Sequence, residues 1–136
     1  MKIKIYLFAV FSCFFLLFFS QNSQARQNVV INPGDDIQKA VNNAGKDTRI
    51  ILNAGVYTVN KAINISRKTE IVVRGKGKVS IICTSTQDTV FNIKNSYRVI
   101  LFNLHLTHKP VATGCSEGVV NIVKSKEIRV MNCDIN

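Results

Sequence analysis

Few residues in this 136-residue chain could move a proton. His105 and Asp134 occupy equivalent positions of a repeat, so stacking one copy on the next would set an outward imidazole beside an outward carboxylate. Such a pair can serve as a general base, and two solvated surface groups would read the same way. Arg98 joins them as the third catalytic candidate. The candidates for holding an anion are Arg74, Lys76 and Lys78, in the segment Arg74-Gly75-Lys76-Gly77-Lys78, together with Lys109. A glycine-spaced basic loop can cradle an anion through backbone amides and lysines, and an ordinary solvated turn is the competing reading. The segment is not a nucleotide-binding loop, because it lacks a Gly-Lys-Ser or Gly-Lys-Thr ending and a following helix. His105-x-x-His108 assigns no metal, since on a strand a three-residue separation points the two rings to opposite faces. Hydrolysis of a glycosidic bond requires two carboxyl groups roughly 5 to 10 Å apart. Asp88, Glu117, Glu127 and Asp134 are scattered instead.

Compartment and charge narrow the partners. Met1 to Lys4 form a basic start, Ile5 to Phe19 an apolar run, and Ser23-Gln24-Ala25 a small-residue exit. The pattern predicts a secretory signal peptide over residues 1–25, with an uncleaved anchor as the rival; Cys13 lies too deep in the apolar run for a lipoprotein signal. Secreted, the protein would be extracellular or periplasmic. No later apolar run approaches the roughly 18 to 20 residues that span a bilayer. The whole chain has 18 Lys and Arg against 8 Asp and Glu; residues 1–25 hold two lysines and no acid, which leaves 16 against 8, or +8. A cationic secreted domain attracts acidic polymers, and salt weakens that attraction. The expected partners are acidic polysaccharide or a cell-surface glycan, not nucleic acid, for which no motif is present. Three cysteines follow the signal segment, Cys83, Cys115 and Cys133. An odd number leaves no complete disulfide framework. Cys83 and Cys133 read as small core residues, with a Cys115–Cys133 bridge as the alternative. Asn64-Ile65-Ser66 is a glycosylation sequon, but its asparagine recurs as Asn92 and Asn121 without the serine, which points to a role inside the repeat.

Positioning these groups falls to short strands. Asn32-Pro33-Gly34-Asp35-Asp36 is a turn and helix start, and Ile37, Ala40, Val41 and Ala44 follow at helical spacing, so a helix is expected from about Asp36 to Ala44. Beyond Gly45 the chain breaks into Ile- and Val-rich segments: Arg49–Leu52, Val56–Val59, Ala62–Ile65, Glu70–Val73, Val79–Cys83, Thr89–Ile93, Arg98–Leu101, Leu104–Leu106, Gly118–Ile122, Glu127–Val130 and Cys133–Ile135. Val90–Asn103 lies over Val119–Asn132 at an offset of 29, and Ile63-Asn64-Ile65 with Ile71-Val72-Val73 repeats the frame 28 residues earlier. Three copies at a near-constant period describe a coil that advances one strand spacing per turn. Equivalent inward residues should then stack, Ile65 under Ile93 under Ile122 and Ile71 under Val99 under Ile128. Asn103 and Asn132 should form a ladder at the bend, with Gly75 in the equivalent earlier place.

The order Pro-Gly-Asp-Asp-Ile-Gln-Lys-Ala-Val, then Ile50-Ile51-Leu52-Asn53-Ala54-Gly55-Val56-Tyr57, then the repeat, resembles right-handed parallel β-helix proteins of the pectate lyase-like superfamily over residues 29–136. The resemblance implies an all-β, right-handed parallel β-helix of about four rungs with an amino-terminal capping helix. The division would be a cap over 26–48 and rungs over 49–136, with the Gly-x-Tyr turn closing the first rung. It also implies a polysaccharide lyase or hydrolase type of scaffold, the lyases using basic residues and often calcium against a uronate. No other cofactor is expected. The scaffold does not fix a function, because it hosts lyases, hydrolases, esterases, epimerases, tailspikes and adhesins alike. No terminal helix follows Asn136, so the rungs are expected to be incomplete there, as in the front of a longer protein or a chain that self-associates at an uncapped rung. Two functions follow: a secreted carbohydrate-associated β-helix not active as this short chain alone, and a non-catalytic surface or glycan-binding scaffold.

Overall fold

A computed structural model describes residues 25–109 and 118–136. The signal segment, apart from Ala25, and Cys115 and Glu117 lie outside the described residues. In chain order the elements are β1 (Gln27–Ile31), α1 (Ile37–Asn43), β2 (Thr48–Val59), β3 (Ile63–Ser66), β4 (Thr69–Cys83), β5 (Phe91–Lys94), β6 (Tyr97–Phe102), β7 (His105–His108), β8 (Val120–Val123), β9 (Arg129–Met131) and β10 (Asp134–Ile135). Every strand pair among them is parallel. The strands form a seven-stranded sheet, β1-β2-β4-β6-β9 with β7 joining β4 and β10, and a three-stranded sheet, β3-β5-β8. The chain is thus an all-β parallel solenoid of about four turns.

Like sits on like through the interior. Ile65 pairs with Ile93 and Ile93 with Ile122, and Ile71 pairs with Val99. Ile65, Ile71, Ile93 and Val99 have no exposed surface. Burying each such side chain contributes about 1.5–3 kcal/mol, and β-branched residues fill a pleated column with little rotamer freedom to lose. Two pairs of segments that read separately in the sequence are single strands: β2 runs through Asn53 and Gly55 with a shift of register, and β4 runs through Gly75 and Gly77. Glycine makes both bends feasible. A Cβ at Gly55 would strike the Pro33 ring, and one at Gly75 would strike the carbonyl oxygen of Asn103. Tyr57 closes the first of these bends from inside, its hydroxyl 2.8 Å from the Asn53 carbonyl and 3.0 Å from that of Ile31. Region 26–48 also supplies a strand that the sequence pattern did not mark, β1, which pairs with β2 from Gln27 to Ile31.

The helix is short and held by side chains. Asp36 caps its start by accepting from the Lys39 amide at 3.0 Å. Ile37 and Val41 are buried. Gln38 accepts from the Asn64 amide at 2.7 Å and donates to the Asn64 carbonyl at 3.0 Å, so one side chain replaces the hydrogen bonds of a neighbouring strand at the edge of β3. Lys68 donates to the carbonyls of Asn42 and Ala44 at the helix's other end. Cys83 is fully buried in the core and Cys133 packs half-buried against it. Among the described residues no helix is long and apolar enough to cross a membrane.

Candidate functional site

The bend between β6 and β7 is where His105, Asp134 and Lys78 of the sequence candidates meet. Asn103, in the left-handed region at φ 55°, turns the chain there, and Asn132, at φ 51°, does so one turn later. Asn132 donates to the Asn103 side-chain carbonyl at 3.0 Å, while Asn103 donates to the backbone carbonyls of Gly75 and Gly77. The expected ladder is therefore present and starts on the glycine bend of β4. A second ladder, Asn121 to Asn92 to Asn64, runs along the outside of the smaller sheet and gives the recurring sequon asparagine its structural role.

This bend places His105 over Asp134 as their equivalent positions required. The two are paired between β7 and β10, with Nδ1 of His105 2.9 Å from Oδ2 of Asp134. With Nδ1–H donating to the carboxylate, Nε2 carries the free lone pair and can accept a proton. Both side chains line a shallow pocket of about 140 Å³ with Gly77, Lys78, Asn103 and Asn132. Lys76 and Lys78 are exposed on the same bend, and neither makes an ion pair among the described residues. The pocket is smaller than the roughly 300–1,000 Å³ that engulfs a small molecule, so it suits a point of contact with a ligand lying on the surface. A larger depression, about 690 Å³, lies between α1 and the β2–β3 turn and includes Asp35 and Asp36. Those carboxylates already accept from the amides of Asn32 and Lys39, which makes that depression a product of helix capping.

The other candidates lie elsewhere. Arg98 is held between two carboxylates, 2.6 Å from Glu70 and 3.1 Å from Glu127, and its Nη2 donates to the Tyr97 hydroxyl. Tyr97 in turn donates to Glu127 at 2.8 Å. The Tyr97 hydroxyl and then Arg98 hold the Glu127 carboxyl below its ordinary value, and the bond to Glu127 raises the tyrosine. A guanidinium so compensated has little charge left for an outside anion. Arg74 sits over Phe102, 5.8 Å from the ring centre, and is not a wall of the pocket. Lys109 is exposed just beyond β7, its amide donating to the Cys83 carbonyl, and is also not a wall. His108 donates from Nε2 to the Asp88 carbonyl at 2.7 Å and does not share a partner with His105. Among the described residues no group of three or more His, Cys, Asp or Glu gathers as a metal would require.

Sequence reasoning missed the Tyr97–Arg98–Glu127–Glu70 cluster. Its signal was available in the repeat: Glu70, Arg98 and Glu127 follow one another at offsets of 28 and 29 and all have positive φ, between 54° and 58°. One turn position thus carries a charge in every copy, and stacking brings opposite charges together. Comparisons with family models, curated proteins and solved structures find no significant match to this chain.

Proposed function

We propose that this protein is a secreted, carbohydrate-associated parallel β-helix that holds an acidic polysaccharide at the bend formed by β4, β6 and β7. The observation that carries the reading is the pocket in which Lys78, with no ion pair among the described residues, lines the same wall as the His105–Asp134 pair. Lys78 and neighbouring Lys76 would neutralise a carboxylate of the polymer. His105 Nε2 would then face the sugar with a lone pair able to take a proton made acidic by that neutralisation, the first requirement of an eliminating lyase. The proposal includes the finer features of the resemblance: a right-handed coil, α1 as its cap, a pectate lyase-like ancestry and export by the segment over residues 1–25. It also includes self-association at the edge formed by β8 and β9.

Binding to polygalacturonate, alginate and neutral dextran by affinity electrophoresis tests it. Binding to the acidic polymers is expected, falling with salt and at least about 10-fold weaker in Lys76→Ala/Lys78→Ala. Equal retention by dextran, or no retention by any polymer, overturns the reading. Unsaturated product that disappears in His105→Ala would assign the lyase chemistry. Binding without product assigns the second reading, a glycan-binding scaffold, which the exposure of Asp134 favours because a solvated carboxylate orients its partner weakly.

A further inference from the structure

The outer face of the larger sheet does not have the composition of a solvated surface. Between the buried positions Ile50, Val73 and Leu101, the strands turn Val30, Ile51, Val72, Ile100, Phe102 and Met131 outward in two adjacent columns. Arg49, Arg74 and Arg129 share those columns, and the tenth position is Asn28. Val30 at 57% and Met131 at 44% exposure mark the two ends of the strip. No Asp, Glu or Lys occurs in it, although Asp47 and Glu70 border it beside Val72 and Ile100, and none of its three arginines forms an ion pair among the described residues, Arg129 acting on Glu127 only at longer range. Arg74 is the sharpest case: its Nε is shielded from solvent with no hydrogen-bond partner, beside the Phe102 ring. Phe, Met and Arg enriched while Lys, Glu, Asp, Ser and Ala are depleted is the composition of the core of a protein–protein contact.

We infer that this face docks an acidic amphipathic helix of another protein, apolar along its middle and carboxylate-bearing along its flanks. Charge disfavours a second copy of the chain as the occupant of this face. The chain carries +10 and the strip itself three arginines, so two such faces repel. The strip spans four strand spacings, about 19 Å, by two side chains, about 7 Å, and so covers under about 200 Å². A stable subunit contact needs about 800 Å² per partner, so an occupant of the strip alone binds weakly and transiently. A helix of about 13 residues has the same length and a matching apolar stripe. Carboxylates on its flanks would meet Arg49, Arg74 and Arg129. The strip suits a sugar chain poorly, because its one aromatic ring already lies against a guanidinium and its other uncharged side chains, Asn28 apart, are apolar. This inference stands on a different surface from the bend and does not rest on the carbohydrate reading.

The test uses the folded protein and a fluorescent synthetic peptide of about 14 residues, with leucines at i, i+3, i+4 and i+7 spacing and glutamates on the flanks. Saturable binding in the micromolar to submillimolar range is expected, with amide shifts mapped to the outward positions of β2, β4 and β6. Arg74→Glu/Arg129→Glu should weaken it at least about 10-fold, as should Val30→Asp/Met131→Asp, which alters only the exposed ends of the strip. Failure of the glutamate peptide to saturate, equal binding by its lysine counterpart, or indifference to both variants overturns the inference. So does displacement of the peptide by polygalacturonate or phosphatidylglycerol vesicles, which would make the strip a glycan or membrane lane.

Discussion

The two ends of the stack are built from the same columns and differ in what covers them. At the helix-bearing end, Ile50 and Ile63 are at most 2% exposed, β1 pairs with β2, and Gln38 occupies the hydrogen-bonding edge of β3. At the β8–β10 end, the inward positions are open: Ile122 at 46%, Val130 at 37% and Ile135 at 45%, although the residues directly below them, Ile93, Leu101 and Leu106, are fully buried. An aliphatic column stabilises a rung most when a rung lies on both sides of it. In a quasi-one-dimensional stack, each turn's stability is its own plus that of its neighbours' interfaces. Among the described turns, the one that carries β8 to β10 has one such interface where the inner turns have two.

The most direct way to break this comparison is to truncate one column at two heights. Ile93→Ala is expected to cost about 2–5 kcal/mol, because the cavity is closed on both sides. Ile122→Ala, next in the same column, should cost about 1 kcal/mol or less. Urea denaturation of the two variants measures the ratio, and equal costs would mean that the final turn is covered in solution. Next in size is Gly75→Ala, where a methyl group must displace the Asn103 carbonyl; overpacking of this kind costs about 1–3 kcal/mol, read as a lower midpoint. Tyr57→Phe removes the hydroxyl between the Ile31 and Asn53 carbonyls and should cost about 1 kcal/mol, an effect confined to the helix-bearing end.

The smallest expected effect is pH-dependent and belongs to the charged turn column. Glu127 has its pKa lowered in the folded protein, so its link to Tyr97 and Arg98 contributes stability above the ordinary glutamate range. That contribution is lost as pH falls through the depressed folded value. Carboxyl NMR titration should show a Glu127 midpoint below that of an unstructured glutamate, and Glu127→Gln should abolish the associated change in stability. A Glu127 midpoint at the ordinary value would dissolve the cluster.

Much of this architecture was legible because the repeat is local information. The offsets of 28 and 29 pair Ile65 with Ile93 and Ile93 with Ile122, and the same arithmetic pairs Asn103 with Asn132 and His105 with Asp134. The helix ran one residue shorter at each end than its spacing suggested, because Asp36 and Ala44 serve as its caps. β1 was not legible: Gln27–Ile31 belongs to no copy of the repeat and becomes a strand only because β2 offers it an edge. The continuity of β2 and β4 through their glycines was hidden for a related reason, since glycine reads as an interruption until neighbouring strands carry the ladder across it.

For the site, residue types were enough to nominate His105, Asp134, Lys76 and Lys78, and their phase in the repeat was enough to put the first two on neighbouring turns. Phase says nothing about what lies across a bend. Left-handed backbone at Asn103 and Asn132 turns His105 and Asp134 toward the Gly77-Lys78 corner, and left-handed backbone at Glu70, Arg98 and Glu127 sends Arg98 into a pair of carboxylates instead. The sequence by itself determined which residues stack, because stacking follows from spacing along the chain. Only the tertiary structure decided which charges are left uncompensated, because charge pairing depends on the direction each turn takes in space.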